Sequence, residues 1–502
     1  MPHNGNVKGI TSTAAAIAPP RAPARASLRA WGSEQAPRVL LLTSGLGCGH
    51  LRAAEAVEQA LLRLAPGATV RQLDFWTLMN PGVAAAIQSK YLELVLDNTD
   101  LYARLHGLDE RTWRRVIEND IPPPAEVVEL IELVTRNDDP ERRSMSNLFE
   151  WALGPYPTDL LFYPTACAAL PTNSTERAGN NVALLRLALL KWAFLRLQGR
   201  MEQRLLEFGP DAIVATQMVP AALVSALKKS SRRWRRVPVV GVLTDFGAHD
   251  YWAQPGIDRY CVPHESITGP PLVPVGQATR EKLVVTGVPL MPGFETLPDR
   301  ADARRALGLD AADARPVVLV LGGGLGLGLD DIVEPLCRGV DRCHVVVMAG
   351  RNAELRLRLA RHGAADGVAT RGTTVSVYGW TEHMERFLVA ADIVVGKSGG
   401  LTVAEVLACG RPLLVTRTLQ GQESFNVRFL ERHGIGRLVG NEQLAAQVRE
   451  WLERPELLQD IQARAAAAGR RDGALRVAEQ ALERAAKLPG RAVRRPVLGA
   501  PA

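Results

Sequence analysis

The sequence predicts an α/β protein in which two doubly wound domains face each other across a cleft. Two glycine-rich turns carry this prediction. The first, 43–49, follows the apolar run Val39–Leu42, and the second, Gly322–Gly328, follows the apolar run Val317–Leu321. A strand that leads through a glycine turn into a helix is the unit from which nucleotide-binding sheets are built. Because the two units lie far apart in the chain, they predict two separate domains.

Strand-like segments alternate with helical segments through most of the chain, which predicts parallel sheets. In a first domain over 37–290, the predicted strands are Arg38–Thr43, Thr69–Leu73, Ala212–Ala215, Val237–Thr244 and Leu283–Thr286. In a second domain over 300–452, they are Val317–Leu321, His344–Ala349, Val375–Tyr378, Ile393–Gly396 and Pro412–Thr416. The residues between the domains, 291–299, are predicted to be a linker.

The remaining segments do not follow this alternation. Residues 100–205 are predicted to be a long insertion in the first domain, and the Ala- and Arg-rich residues 455–487 predict a C-terminal helix. The composition of residues 1–36 predicts a disordered N-terminal tail, and 488–502 a loose basic tail. A transit peptide would resemble 1–36, so a targeting role stays open.

Composition narrows the class of protein. The 502 residues carry a net charge of +7, which suits a partner that bears phosphates. The six cysteines show no CxxC and no zinc-ligand spacing, which favours reduced thiols in the cytoplasm. No apolar run is long enough to span a membrane. We therefore expect a cytoplasmic protein.

Two residues are candidates for acid–base chemistry. His50 falls near the start of the helix that follows the first glycine turn, where the positive helix end disfavours imidazolium. A neutral imidazole can accept a proton from a hydroxyl. Asp245 follows a predicted strand and should lie on the same edge, where it could orient His50 or bind an acceptor hydroxyl. Either residue could instead merely cap a helix.

Glycines and polar groups follow the predicted strands of the second domain. The turn Gly322–Gly328 could bring bare amides to an anion, although it is not a Walker sequence. Thr402 and Glu405 have the spacing of a capping box, but Glu405 could also accept two ribose hydroxyls. Three further residues could contact a sugar or be ordinary loop residues: Gln422, Glu423 and Asn426.

Two segments could contact a membrane. Lys228–Arg236 places six cations around Trp234, which fits an anionic bilayer surface. The alternatives are a solvated loop or, less well supported because stacking aromatics are few, an RNA contact. Val182–Leu197 is helical and very apolar, and its cations are compatible with an interfacial helix or with a buried one.

Taken in order, these pieces resemble the monogalactosyldiacylglycerol synthases and the processive diacylglycerol glucosyltransferases, which share the GT-B fold of glycosyltransferase family 28. The resemblance covers most of 37–100 and 207–440. It rests on Gly47–His50, Ala53–Glu55, Thr244–Phe246, His249, Trp252, Gly322–Gly328, Gly350–Asn352, Gly379–Trp380, Met384, Lys397–Glu405, Gly421–Glu423 and Asn426.

The resemblance implies an inverting transferase that moves glucose or galactose from a UDP-sugar to a membrane lipid, with diacylglycerol the expected acceptor. His50 would be the base with Asp245 beside it, and Gly49, His249 and Trp252 would lie on the acceptor side. No cofactor or bound metal is expected, because helix dipoles and amides would stabilise the departing UDP. The donor would be held by Gly323, Gly324, Arg351, Trp380, Thr381, Met384, Ser398, Gly399, Gly400, Thr402, Glu405, Gln422, Glu423 and Asn426.

The sequence departs from this family in two places. Galactolipid synthases usually have Gly-Pro-Gly-Thr where this chain has Gly399–Thr402, a form closer to the enzyme that adds N-acetylglucosamine to lipid I, and 100–205 do not follow the family. The acceptor could therefore be a polyprenyl-linked or other lipid. A UDP-N-acetylglucosamine-type epimerase and a non-catalytic sensor are alternative functions. As a lipid enzyme, the chain is expected on the inner face of the cell membrane, without a nucleic-acid partner.

Overall fold

The computed structural model describes residues 36–45, 48–78, 195, 197–248, 252–267, 281–310, 313–326, 328–364, 372–418 and 423–488. The predicted tails, apart from Ala36 and Leu488, lie outside this part of the chain. The predicted insertion does too, except for helical residues at its end. The described residues form two parallel six-stranded sheets with helices packed on them.

The first sheet has the strand order β2-β1-β3-β4-β5-β6, and every neighbouring pair is parallel. Its central strands are buried on both faces, which is why their sequences are short apolar runs without alternation. The strands are β1 Arg38–Thr43, β2 Thr69–Asp74, β3 Ala212–Ala215, β4 Val239–Val242, β5 Arg259–Val262 and β6 Leu283–Val285.

The second sheet has the order β12-β11-β10-β7-β8-β9 and is also parallel throughout. The chain runs outward from β7 on one side and from β10 on the other, so the direction of winding reverses between these two strands. The strands are β7 Val317–Leu321, β8 His344–Met348, β9 Thr374–Tyr378, β10 Ile393–Lys397, β11 Leu413–Arg417 and β12 Gly436–Leu438.

Helices connect the strands and cover both sheets. Those of the first sheet are α1 Cys48–Leu64, α2 Met218–Ser230 and α3 Arg232–Arg235, together with the helical residues 197–208 that precede β3. Those that follow are α4 Arg300–Ala306, α5 Asp330–Gly339, α6 Ala353–Ala364, α7 Met384–Ala390, α8 Gly400–Ala408, α9 Ser424–Arg432, α10 Asn441–Glu453, α11 Pro455–Ala468 and α12 Gly473–Ala486.

The segment predicted as one terminal helix, 455–487, forms the two helices α11 and α12. The chain turns at Gly469, where a Cβ atom would overlap the carbonyl oxygen of Leu407. The turn sends α12 back onto the first sheet, where its buried side chains share one core with β1 and α1. The C-terminal helix therefore ties the second domain to the first.

Candidate active site at the domain cleft

The carboxyl ends of strands from both sheets meet at one cleft. Ligands of parallel α/β sheets bind outside these ends, next to the point where the winding reverses. The cavity here has a volume of about 260 Å³. Its walls include His50 and Asp245 from the first domain and Gly323, Trp380 and Glu405 from the second, so the sequence-predicted residues of both domains come together.

His50 is the third residue of α1 and is partly buried in the cavity wall. Its Nδ1 lies 3.4 Å from the hydroxyl oxygen of Thr244, and its carbonyl oxygen accepts a 3.1 Å hydrogen bond from the Thr216 hydroxyl. Burial lowers the pKa of the His50 imidazole, and the nearby Asp245 carboxylate partly opposes this shift. The ring is therefore neutral at pH 7, the form that can accept a proton.

Asp245 is held by a side chain of the other domain. Its Oδ1 accepts a 2.9 Å hydrogen bond from the Asn426 amide nitrogen. Asn426 is 0% exposed, and it also bonds the carbonyl oxygen of Ser398 and the backbone N–H of Phe246. The sequence predicts a sugar contact for Asn426, but the structure places it in the contact between the domains, because all three partners surround its carboxamide there.

Glycines let the two domains approach closely at this cleft. Gly323 has a φ of +66°, a conformation that other residues rarely adopt. A Cβ atom on Gly324 would lie 2.7 Å from the Cys48 sulfur, and one on Gly400 would overlap the carbonyl oxygen of Thr244. The glycine turns of the second domain therefore lie directly against the first domain.

Lys397 brings a positive charge to the cavity, although it was not among the donor contacts predicted from the sequence. It ends β10, and its Nζ lies 3.2 Å from the Glu423 Oε1. A Cβ atom on Gly323 would lie 3.2 Å from the Cε of Lys397. A cation between a glycine turn and an acid is suited to bind a phosphate. The position of Lys397 directly at the end of a buried apolar strand is the sequence feature that could have predicted it as a site residue.

Trp380 forms an outer wall of the cavity. The Arg351 guanidinium lies 4.2 Å from its ring centroid, and the indole N–H donates to Glu382 at 3.0 Å. Glu382 also accepts a 2.9 Å hydrogen bond from Arg52 on α1 of the first domain. Arg52, which was not predicted as a site residue, therefore joins the domains beside Trp380. Arg351 does not line the cavity itself but stacks on the indole that does.

Glu405 lines the cavity from α8. Burial raises its pKa to about 8, against the attraction of Arg52, and Glu385 adds to the rise. Thr402 lines the same wall. The capping-box alternative does not apply, because α8 begins at Gly400 with Gly399 as its N-cap. Glu405 is thus a partly buried acid that faces a ligand-sized space.

The other predicted site residues divide into three groups. Gly49, Thr381, Met384, Gly399 and Glu423 line the cavity. Ser398 is buried behind it and donates to the Thr418 hydroxyl at 2.8 Å, and Trp252 is 7% exposed and packs over Gly241 in the core. Trp252 therefore does not reach the acceptor side. His249 and Gln422 lie outside the described residues.

The basic run Lys228–Arg236 is only partly a surface. Trp234 is 1% exposed and donates to Glu202, and Lys228 is 6% exposed and pairs with Asp258 at 2.5 Å. Trp234 therefore cannot anchor the chain at a membrane. The exposed cations precede β4 at the amino end of the sheet, opposite the cleft: Lys229, Arg232, Arg233, Arg235 and Arg236. Most of Val182–Leu197 lies outside the described residues.

The described residues contain neither a membrane-spanning helix nor a cluster of metal ligands. No helix among them is long and apolar enough to cross a bilayer. No group of three or more His, Cys, Asp and Glu side chains among them is placed as metal ligands would be.

Two family models match the chain. The monogalactosyldiacylglycerol (MGDG) synthase model matches 181–290, and the glycosyltransferase family 28 C-terminal domain matches 317–479. The second match contains the whole of the second sheet.

Curated relatives agree with these matches, and a solved structure shares the fold. The processive diacylglycerol beta-glucosyltransferase of Bacillus pumilus is 27% identical over 266 residues, 52% of this chain and 66% of the relative. Monogalactosyldiacylglycerol synthase 3, chloroplastic, of Arabidopsis thaliana is 28% identical over 246 residues, which are 47% of this chain and 50% of the relative. The matches thus span half to two thirds of these relatives' length. Acinetobacter baumannii MurG superposes with a TM-score of 0.52 at 16% identity, over 89% of this chain and 99% of MurG, which shows a shared fold alone.

Two parallel α/β domains that meet at a cleft define the GT-B class, so the predicted fold class is confirmed. The chain belongs to the family that its motifs resemble, the family 28 glycosyltransferases that include the monogalactosyldiacylglycerol synthases and diacylglycerol glucosyltransferases.

Proposed function

We propose that the chain is an inverting glycosyltransferase that moves a hexose from UDP-glucose or UDP-galactose to a membrane lipid, with diacylglycerol as the acceptor. One observation carries the proposal. A neutral His50 of the first domain lines the same cavity as the glycine turns and Lys397 of the second domain. The names of the two curated relatives, a diacylglycerol glucosyltransferase and a monogalactosyldiacylglycerol synthase, support this choice of acceptor.

The second domain offers each part of a UDP-sugar a matching group. The diphosphate would lie against the amides at Gly323 and Gly400 and beside Lys397, as anions do at glycine turns and helix N-termini. Glu405 would accept the ribose hydroxyls, and Glu423, which is nearly buried beside Lys397, would accept a hexose hydroxyl. Trp380 would close the end of the cavity that holds the uracil.

The first domain would supply the acceptor chemistry. His50 takes the proton of the lipid hydroxyl while its oxygen attacks the anomeric carbon from the face opposite UDP. The bond from that carbon to the diphosphate oxygen breaks, and UDP leaves with the electron pair. Asp245 stabilises the imidazolium that forms. We propose that Lys397 and the turn amides, without a metal, stabilise the charge on UDP.

Lipid products identify the reaction. The chain is incubated with each UDP-hexose and diacylglycerol vesicles, and the lipids are examined by mass spectrometry. A hexosyl-diacylglycerol is the expected product. Product only with a polyprenyl-linked acceptor would contradict the choice of acceptor. Epimerised UDP-N-acetylglucosamine formed without any acceptor would contradict transfer altogether.

UDP affinity is expected to increase with pH through the titration of Glu405. Hydroxyls that donate to the carboxylate favour its charged form, so binding releases a proton while the free acid, with a pKa of about 8, is protonated. Between pH 7 and pH 8.5 the affinity should rise about eightfold, as the ionised fraction of an acid with a pKa of about 8 does. Calorimetry in two buffers of different ionisation enthalpy checks both the slope and the released proton.

The matched variant for this experiment is Glu405→Gln, which keeps the size of the side chain but cannot ionise. Its UDP affinity should be lower than that of the wild type at pH 8.5. It should also be nearly independent of pH between pH 7 and pH 8.5. A slope that persists in Glu405→Gln would show that another group titrates.

Contact with an anionic membrane is proposed for the exposed cations at the amino end of the first sheet. This contact would attract the protein to the bilayer surface but, being opposite the cleft, would not itself bring a lipid to His50. Changing Arg232, Arg233 and Arg236 to Gln should weaken binding to vesicles that contain phosphatidylglycerol by about 100-fold, at about 1 kcal/mol per cation. Vesicle sedimentation at low salt measures the change.

The control removes the same charge from the second domain, at the exposed residues Arg338, Arg449 and Arg454. Equal loss of binding in both triple variants would mean that net charge, and not this surface, attracts the protein to the membrane.

A further inference from the structure

Helix α9 belongs to the second domain but packs one face against the first. The ring centroids of Phe429 and Phe246 are 4.4 Å apart. A Cβ atom on Gly247 would overlap the Phe425 side chain. Residues 425, 426 and 429 lie on one side of the helix, as the spacing of an α-helix requires. Through this face, α9 contacts the loop that follows β4.

Asn426 is the polar residue of this face, and its hydrogen bonds fix its orientation. The amide nitrogen donates to Asp245 at 2.9 Å and to the carbonyl oxygen of Ser398 at 2.8 Å, and the amide oxygen accepts from the Phe246 N–H at 2.6 Å. A flipped carboxamide would direct its oxygen at two acceptors. Because Ser398 belongs to the second domain and the other two partners to the first, the carboxamide connects the domains.

The same helix begins beside the predicted sugar contact. Glu423 is the N-cap residue of α9 and lines the cavity, three residues before Asn426. A displacement of α9 would therefore move the sugar contact and the partner of Asp245 together. In the first domain, Asp245 is the carboxylate whose charge favours the protonated form of His50.

We propose that Asn426 is a positioning residue that holds Asp245 beside His50 only while the two domains are in contact. Its carboxamide couples closure of the cleft to the strength of the base. The catalytic part of this inference rests on the proposed transferase function, whereas the contact with the loop after β4 does not.

Kinetics of Asn426→Ala and Asn426→Asp test the catalytic part. Both variants should lower kcat by about 10- to 100-fold, the cost of a misplaced catalytic group, and change the KM for the UDP-sugar less than about threefold. Arg432→Ala, on the exposed side of α9, is the matched control and should behave as the wild type. A thermal melt checks that each variant folds, and Asn426→Ser replaces any that does not.

The pH profile of kcat/KM separates positioning from a structural role. The charged side chains that line the cavity with His50 are Arg52, Asp245, Lys397, Glu405 and Glu423, and Asn426 hydrogen-bonds Asp245. In Asn426→Ala the acid limb should move to lower pH, because a released Asp245 no longer favours imidazolium. In Asn426→Asp it should move to higher pH, because a second carboxylate adds negative charge. Shifts in the same direction would overturn the proposal.

Hydrogen exchange tests the contact between α9 and the loop after β4 and does not depend on an activity assay. The Phe246 amide, which donates to Asn426, should exchange roughly tenfold faster in Asn426→Ala than in the wild type or Arg432→Ala. Unchanged exchange would overturn the inference. Faster exchange with unchanged kcat would overturn the coupling to catalysis. A wild type that transfers no hexose, yet shows the faster exchange in the variant, would overturn the proposed function and leave the contact intact.

Discussion

Replacement of His50 by Ala is expected to lower hexose transfer by about a thousandfold, the share of a rate that a general base supplies. Among the described residues that line the cavity, His50 is the one histidine that could take the proton of the lipid hydroxyl. UDP affinity should change less than about threefold, because the donor contacts lie in the second domain. Single-turnover transfer and calorimetry with UDP measure the two quantities separately.

The matched control is Gln59→Ala, on the exposed side of the same helix α1. It should keep the wild-type rate, which excludes a general effect on the helix. His50→Gln, which keeps much of the shape of the ring but accepts no proton at neutral pH, should be as slow as His50→Ala. Transfer by His50→Ala within about threefold of the wild-type rate would remove His50 from the mechanism.

The second large effect is expected from Gly247→Ala, a single methyl group at the contact between the domains. The added Cβ atom would overlap the Phe425 side chain at its base, close to the backbone of α9, so that the helix and the loop after β4 must separate. Overpacking of this kind costs about 1–3 kcal/mol. We expect kcat to fall by about 10- to 100-fold, because the cleft no longer closes correctly.

Gly247 is in the first domain, so UDP binding to the second domain should persist in Gly247→Ala. Gly199→Ala is the matched control, because nothing lies within 4 Å of a Cβ atom at that exposed helical position. It should leave transfer unchanged and stabilise the fold slightly. Wild-type kcat in Gly247→Ala would show that this contact does not control the cleft.

The sequence predicted most of the two sheets because their strands are buried on both faces and form unbroken apolar runs. It did not predict β5, Arg259–Val262, or β12, Gly436–Leu438, because neither is an unbroken apolar run: β5 begins with Arg259, and β12 contains Gly436 and Arg437. These strands are defined by pairing with their neighbours. The predicted strand Val237–Thr244 is shorter in the structure, Val239–Val242, and its later start follows from Pro238, which has no N–H to donate.

The candidate site was predictable where strand ends define it. His50 and Asp245 follow two strands of one parallel sheet, so both reach the same edge. The sequence did not predict the contacts of Asn426, Lys228 and Trp234, because it shows that a residue is polar or aromatic but not which partner faces it. Each is buried against a partner distant in the chain: Asp245, Asp258 and Glu202 respectively.

The measurement that tests the central claim most directly is the configuration of the new glycosidic bond, read from the anomeric proton coupling of the purified lipid. A base on one domain and a diphosphate on the other permit a single displacement, so an α-linked UDP-hexose should give a β-linked lipid. An α-linked product would contradict the account, because it requires a second displacement or attack from the side that UDP occupies.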